Sequence, residues 1–181
     1  MKLEEFKTED SEILIDILVN NPWEFHSGQG WKKEQVEEKI KSGYYNSIEA
    51  KTFFLVEEKN VIGFIRIFDL GEDKTDDETP LFDIRIKKEF RGKGFGKHAV
   101  DLATEFVFYT YPNKNRFEAT TRHDNLAMRR VLEKCGFVKE AHYRQSWPNK
   151  ENVKVDTVGY GILRADWKNK SITQVNWNDI N

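Results

Sequence analysis

A chain of 181 residues has the length of one domain and enough material for a substantial core. Its 29 Lys and Arg against 31 Asp and Glu leave a net charge of −2, which provides no global field for nucleic acid, and an aromatic content of 13% argues against disorder. The single cysteine and four scattered histidines exclude a disulfide, a dithiol redox motif and a cysteine-cluster metal site. No apolar run approaches the ~20 residues of a membrane span, and the charged first ten residues do not read as a secretory signal, so a cytoplasmic setting is expected.

In chain order, residues 1–6 suit a short edge strand. Asp10 or Ser11 caps an expected helix through Asn20, with Ile13, Leu14, Ile17 and Leu18 as its buried stripe, and Asn21-Pro22 stops it. Residues 23–31, WEFHSGQGW, form a loop rich in aromatics and glycine; Trp23, Phe25, His26 and Trp31 either line a pocket or pin the loop to the core. A charged helix over residues 32–41 has Val36 and Ile40 as its inward contacts and the rest as a solvated face. FFLVEE and VIGFIRIFDL, joined at Lys59-Asn60, read as an antiparallel pair of strands. The acidic, breaker-rich residues 71–80 are a loop that either faces water or attracts a cation.

Residues 81–86 alternate as a strand, and the spacing becomes helical after Gly96. RFEATT is a fifth strand, and Asp124 or Asn125 opens a helix in which Leu126, Val131 and Leu132 face inward and Gly136 caps the end. Two strand-like runs, 138–147 and 153–163, close the fold around Pro148-Asn149-Lys150. The polar tail with its lone Trp177 has no assignable pattern.

Between the strand of residues 81–86 and its helix lies RGKGFGKH, and glycine amides at a helix N-terminus make an anion site. Gly92 and Gly96 are one residue too close for a Walker A loop, and His98 stands where a hydroxyl is required. Gly92, Gly94 and Gly96 also miss the dinucleotide spacing. What fits is R-x-x-G-x-G, carried by Arg91, Gly94 and Gly96. With NLAMRRVLEKCGF at residues 125–137, the chain resembles the GNAT superfamily of acetyl-coenzyme A dependent N-acetyltransferases, in particular its RimJ/RimL-like, ribosomal-protein branch.

The resemblance implies an α/β GNAT fold over residues 1–168, followed by a tail of residues 169–181. Its sheet would be mixed, mostly antiparallel, of about seven strands with helices on both faces, and the fourth and fifth strands would splay to admit acetyl-coenzyme A. Ile84, Arg85 and Ile86 would meet the pantetheine arm by strand addition. The amides of Gly92, Lys93, Gly94, Phe95 and Gly96 would cradle the pyrophosphate, with Arg91, Lys93 and Lys97 adding charge nearby and Arg130 as a further cofactor-binding candidate. Asn125 would contact the cofactor's far wall, or serve only as a helix N-cap.

For chemistry, an amine must lose its proton, a developing oxyanion needs a donor and a thiolate must leave. A main-chain N–H of the 83–86 strand is the expected oxyanion donor. Asp83, Glu78 and Glu118 are candidate bases, although Asp83 would equally pair with Arg85. The family's frequent donor positions hold Leu132 and Met128, which cannot supply a proton, so Tyr143 or Tyr160 would have to approach, or solvent would act. Cys135 reads as a buried helix-end residue rather than an acyl carrier. The expected partners are acetyl-coenzyme A and an amine acceptor, a protein N-terminus or a small molecule, with a mild preference for a cationic amine. The last strands or the Trp177 tail could mediate a homodimer. Two rivals stand beside this reading: a coenzyme A-binding sensor without turnover, and a basic RNA surface at Arg122, Arg129 and Arg130, which the net charge disfavours.

Overall fold

A computed structural model describes residues 1–26, 30–71, 78–148 and 153–177. The centre of the acidic run (72–77), part of the aromatic stretch (27–29), residues 149–152 and the last four residues lie outside the described residues. Seven strands form one sheet: β1 (Lys2–Glu5), β2 (Ala50–Glu57), β3 (Asn60–Phe68), β4 (Leu81–Ile86), β5 (Arg116–Arg122), β6 (Val138–Pro148) and β7 (Lys154–Leu163), in the order β1-β2-β3-β4-β5-β7-β6. All neighbours are antiparallel except β4 and β5, which run parallel and pair only at Leu81 and Glu118.

The helices are α1 (Ser11–Val19), α2 (Lys33–Lys41), α3 (Phe95–Thr110), α4 (Leu126–Lys134) and α5 (Arg164–Asn169). Strand alternation gives the sheet two apolar faces. Phe54, Val56 and Phe64 pack with Leu14, Ile17 and Leu18 of α1 and Val36 of α2. Ile65, Ile67, Phe82 and Phe117 pack instead with Ala99, Val100, Ala103 and Val107 of α3 and Leu132 of α4.

Local differences from the expected pattern have packing reasons. Ile13 is exposed and Ile15 is buried beside Leu14, Ile17 and Leu18, so the stripe of α1 is displaced toward the Ile15 side of the expected one. The β2–β3 turn uses Glu58 and Lys59, both with positive φ, one residue earlier than expected. Helix α5 has no counterpart in the sequence reading; buried Asp166 holds it to the tail by accepting from the Thr173 N–H at 2.9 Å and from its hydroxyl at 2.9 Å. No helix of the described residues is long and apolar enough to cross a membrane.

Candidate active site

Beyond its single bridge to β5, β4 is left with an open flank. Lys87 N–H bonds to Ile62 O on β3 and Glu118 N–H bonds to Pro80 O, which fixes the alternation: the main-chain groups of Ile84 and Ile86 face away from β3, toward β5. Two side chains take the carbonyls there. His26 Nε2 lies 3.0 Å from Ile84 O, and Arg91 Nε donates to Ile86 O at 2.9 Å. The amides of Ile84 and Ile86 have the same orientation, toward a flank where β5 makes no further pairing.

At the end of this flank the chain turns through Gly92 and Gly94, with φ of +76° and +87°. A Cβ at either would meet nothing within 4 Å, so glycine is needed there for the left-handed backbone, and the ground before α3 is open. The first helical bond of α3 runs from His98 N–H to Gly94 O. The amides of Phe95, Gly96 and Lys97 therefore end the helix without an intrahelical acceptor, where its dipole favours an anion.

Around the splay lies a cleft of about 450 Å³. Of the residues expected from sequence, Phe25, His26, Trp31, Asp83, Ile84, Arg85 and Asn125 line it, and Met128, at one of the positions without a proton donor, lies among them. Trp23 does not: it is buried, donates to Leu18 O at 3.0 Å and props the guanidinium groups of Arg85 and Arg91 over its ring at 5.4 and 5.2 Å. Asn125 serves both of its readings, capping α4 by accepting from Met128 N–H at 3.2 Å while its Nδ2 donates to Thr121 Oγ1 at 3.1 Å. Arg130 is exposed on α4 and is not among the lining residues. Lys97 is held by Asp101 at 2.6 Å, so its charge is largely spent within α3.

The proton-handling candidates separate clearly. Asp83 is the one carboxylate lining the cleft among the described residues. Burial pushes its pKa up, but the hydrogen bond from His26 and the Arg85 guanidinium outweigh this and hold it down to about 2. It is an anion at neutral pH and a poor proton acceptor. Glu118 is tied to Arg116. Tyr143 is exposed on β6 and away from the lining, where Trp147 of the same strand stands instead. Tyr160 is buried, its hydroxyl between Arg129 Nε and Glu133 Oε1 at 3.1 Å each. The structure thus brings neither tyrosine to the cleft. Cys135 has its thiol pushed up to about 12, chiefly by burial, which makes it inert as an acyl carrier.

Sequence reasoning missed Lys39 and Tyr44. Lys39 belongs to the face of α2 assigned to solvent, yet it lines the cleft with its ammonium 3.9 Å from the Tyr44 ring and 5.5 Å from Trp31. Their approach depends on how α2 packs, which spacing along the chain does not record.

The acetyltransferase (GNAT) domain profile matches residues 1–138, over three quarters of the chain. The chain belongs to the GNAT acetyltransferases. Over 111 residues it is 28% identical to a spermidine N(1)-acetyltransferase of Vibrio cholerae, a match covering 60% of this chain and 61% of that one, less than two thirds of its length. Over 165 residues it is 25% identical to the SPbeta prophage-derived uncharacterized N-acetyltransferase YokL of Bacillus subtilis, covering 90% and 85%. Among solved structures, the spermidine N-acetyltransferase of Vibrio cholerae in complex with CoA and spermine superposes with a TM-score of 0.79 at 20% identity, covering 92% of this chain and 97% of that one. At that identity the likeness is one of fold.

Proposed function

We propose that this GNAT domain transfers an acetyl group from acetyl-CoA to a primary amine by direct attack. The observation that carries the reading is the unpaired flank of β4, which joins the open α3 N-terminus at one end to the cleft at the other. Acetyl-CoA supplies an activated thioester: the amine nitrogen forms a bond to the acetyl carbon, the C–S bond breaks, and the free thiol is released.

The chain's own groups divide the work. The Ile86 amide would donate to the pantetheine as an added strand, and the amides of Phe95 to Lys97 would bind the pyrophosphate. The Ile84 N–H is the candidate donor to negative charge developing on the acetyl oxygen. His26 bonds to a carbonyl through Nε2, which must therefore carry the proton, and Asp83 Oδ1 at 3.2 Å holds that tautomer. Its Nδ1, without a partner among the described residues, is then free to take the proton that the amine gives up. Asp83 is a positioning residue in this scheme. Solvent would protonate the leaving thiolate, since a thiol pKa of about 8.5 makes it a tolerable leaving group.

The motif at residues 125–137 supports a place in the RimJ/RimL-like branch, whereas the relative whose name states an acceptor acts on spermidine; both chemistries present a primary amine. An acetyl-CoA-dependent reaction and a free Cys135 suit the cytoplasm. Thiol release from acetyl-CoA on addition of amines, with coenzyme A binding measured separately by calorimetry, tests the reading. Amine-dependent release supports it; bound coenzyme A without turnover of any amine would make the domain a sensor.

A further inference from the structure

Among the described residues, three buried side-chain polar atoms without a hydrogen-bond partner belong to residues lining the cleft: His26 Nδ1, Trp31 Nε1 and Arg85 Nη1. Leaving such groups unmade is costly, so their concentration at one cavity marks where a ligand completes them. Two of the three can only donate. Arg85 is 6% exposed, and its Nε is committed to Asp83 at 3.1 Å, which leaves Nη1 as a fixed, charged donor.

The charge of the same wall agrees with its hydrogen bonding. Lys39 lines the cleft, and behind the lining the buried Arg66 guanidinium lies 3.9 Å from the Tyr44 ring and donates to Tyr44 O at 2.7 Å. Against these cations stands Asp83, already engaged by His26 and Arg85. Asp83 and Arg85 pair across β4 with Arg66 and Phe64, and so sit on the α1–α2 face of the sheet, opposite the face that packs on α3. The surplus of donors and positive charge thus belongs to the acceptor side, away from the anion site at the α3 N-terminus. A polyamine, cationic along its length, would meet like charge there. An acceptor with one ammonium and one carboxylate would match it.

Resting on the transferase reading above, we propose that the acceptor is an amine that carries its own carboxylate beside an apolar body, an apolar α-amino acid being the simplest case. Its nitrogen meets His26, held in place by Asp83, while its carboxylate takes Arg85 Nη1 and Trp31 Nε1 in the field of Lys39. Phe25, Phe68 and Trp147 furnish the apolar surface. The overall step balances: the ammonium and acetyl-CoA give the N-acetyl product, free thiol and one proton.

The test compares kcat/KM, by thiol release and product mass, for L-phenylalanine and L-leucine, their carboxamides and spermidine, using the full chain. The free acids should exceed both carboxamides and spermidine by about tenfold or more, the worth of one charge-assisted contact. Because Arg85 is buried and its variants risk misfolding, Lys39→Gln on the surface of α2 is the second probe; it should shrink the acid-to-amide ratio at least about threefold, mainly through KM. Equal or faster turnover of carboxamides or spermidine overturns the inference and leaves the transferase reading intact. A ratio unmoved by Lys39→Gln also overturns the assigned anion wall. Coenzyme A binding with no amine turned over overturns both readings together.

Discussion

His26 and Asp83 show how one contact changes what a residue is for. On the strand pattern alone Asp83 is a candidate base, and its predicted pairing with Arg85 is present at 3.1 Å. The contact that the pattern does not contain is His26, 58 residues from Ile84 in sequence and yet bonded to its carbonyl. Together the two partners hold the carboxyl near 2, below the ordinary unfolded value of about 3.9. A depressed carboxyl stabilises the fold above the unfolded pKa and loses that contribution as pH falls through the folded one. The stability of the wild-type chain, measured by urea midpoints, should therefore decline between about pH 4 and pH 2 more steeply than that of Asp83→Asn. Parallel declines in the two proteins would remove the ion pair from the account.

At the scale of elements, β4 is positioned by what β3 lacks. Gly63 faces Ile86 across the ladder, and a Cβ there would collide with the Arg85 carbonyl oxygen and come within 2.9 Å of the Ile86 Cα. Both obstacles are backbone, so relief requires moving the strand that carries Ile84 and Arg85. Gly63→Ala should cost about 1–3 kcal/mol in a denaturant titration. It should also weaken coenzyme A binding, although Gly63 is not a lining residue of the cleft. Unchanged stability would mean that β4 gives way freely. The helices carry a related lesson: the ends of α4 were legible, from its Asn125 cap to Gly136 at φ +86°, because caps are local chemistry, whereas Leu126, expected to face inward, is exposed. Helix α2 was legible as a helix but not as a wall of the cleft.

Across the whole molecule, the sheet is continuous except where β4 and β5 meet at one residue pair, so two well-packed halves border a gap. A ligand that bonds along β4 and ends at α3 adds contacts only in the folded state. At about 100 times its dissociation constant, coenzyme A should stabilise the chain by about 2.7 kcal/mol, visible as a rise of several degrees in Tm. Gly94→Val, which forces a β-branched side chain into φ of +87°, should abolish most of that rise. A full thermal shift in this variant would place the coenzyme elsewhere.

The sequence by itself determined the strand-loop-helix corner, the glycines at Gly92 and Gly94, the Asn125 cap and the lack of a proton donor at Met128 and Leu132, because each depends on residues a few positions apart. Its motifs also carried the resemblance to the GNAT family, which the match over residues 1–138 shows. Only the tertiary structure decided which side chains share the wall of the cleft. It removed Trp23 and Tyr143 from the lining, added Lys39 and Tyr44, and joined His26 to β4. Those outcomes follow from how α2 and the loop before it dock on the sheet, and a burial energy summed over many contacts leaves no short-range mark on the chain.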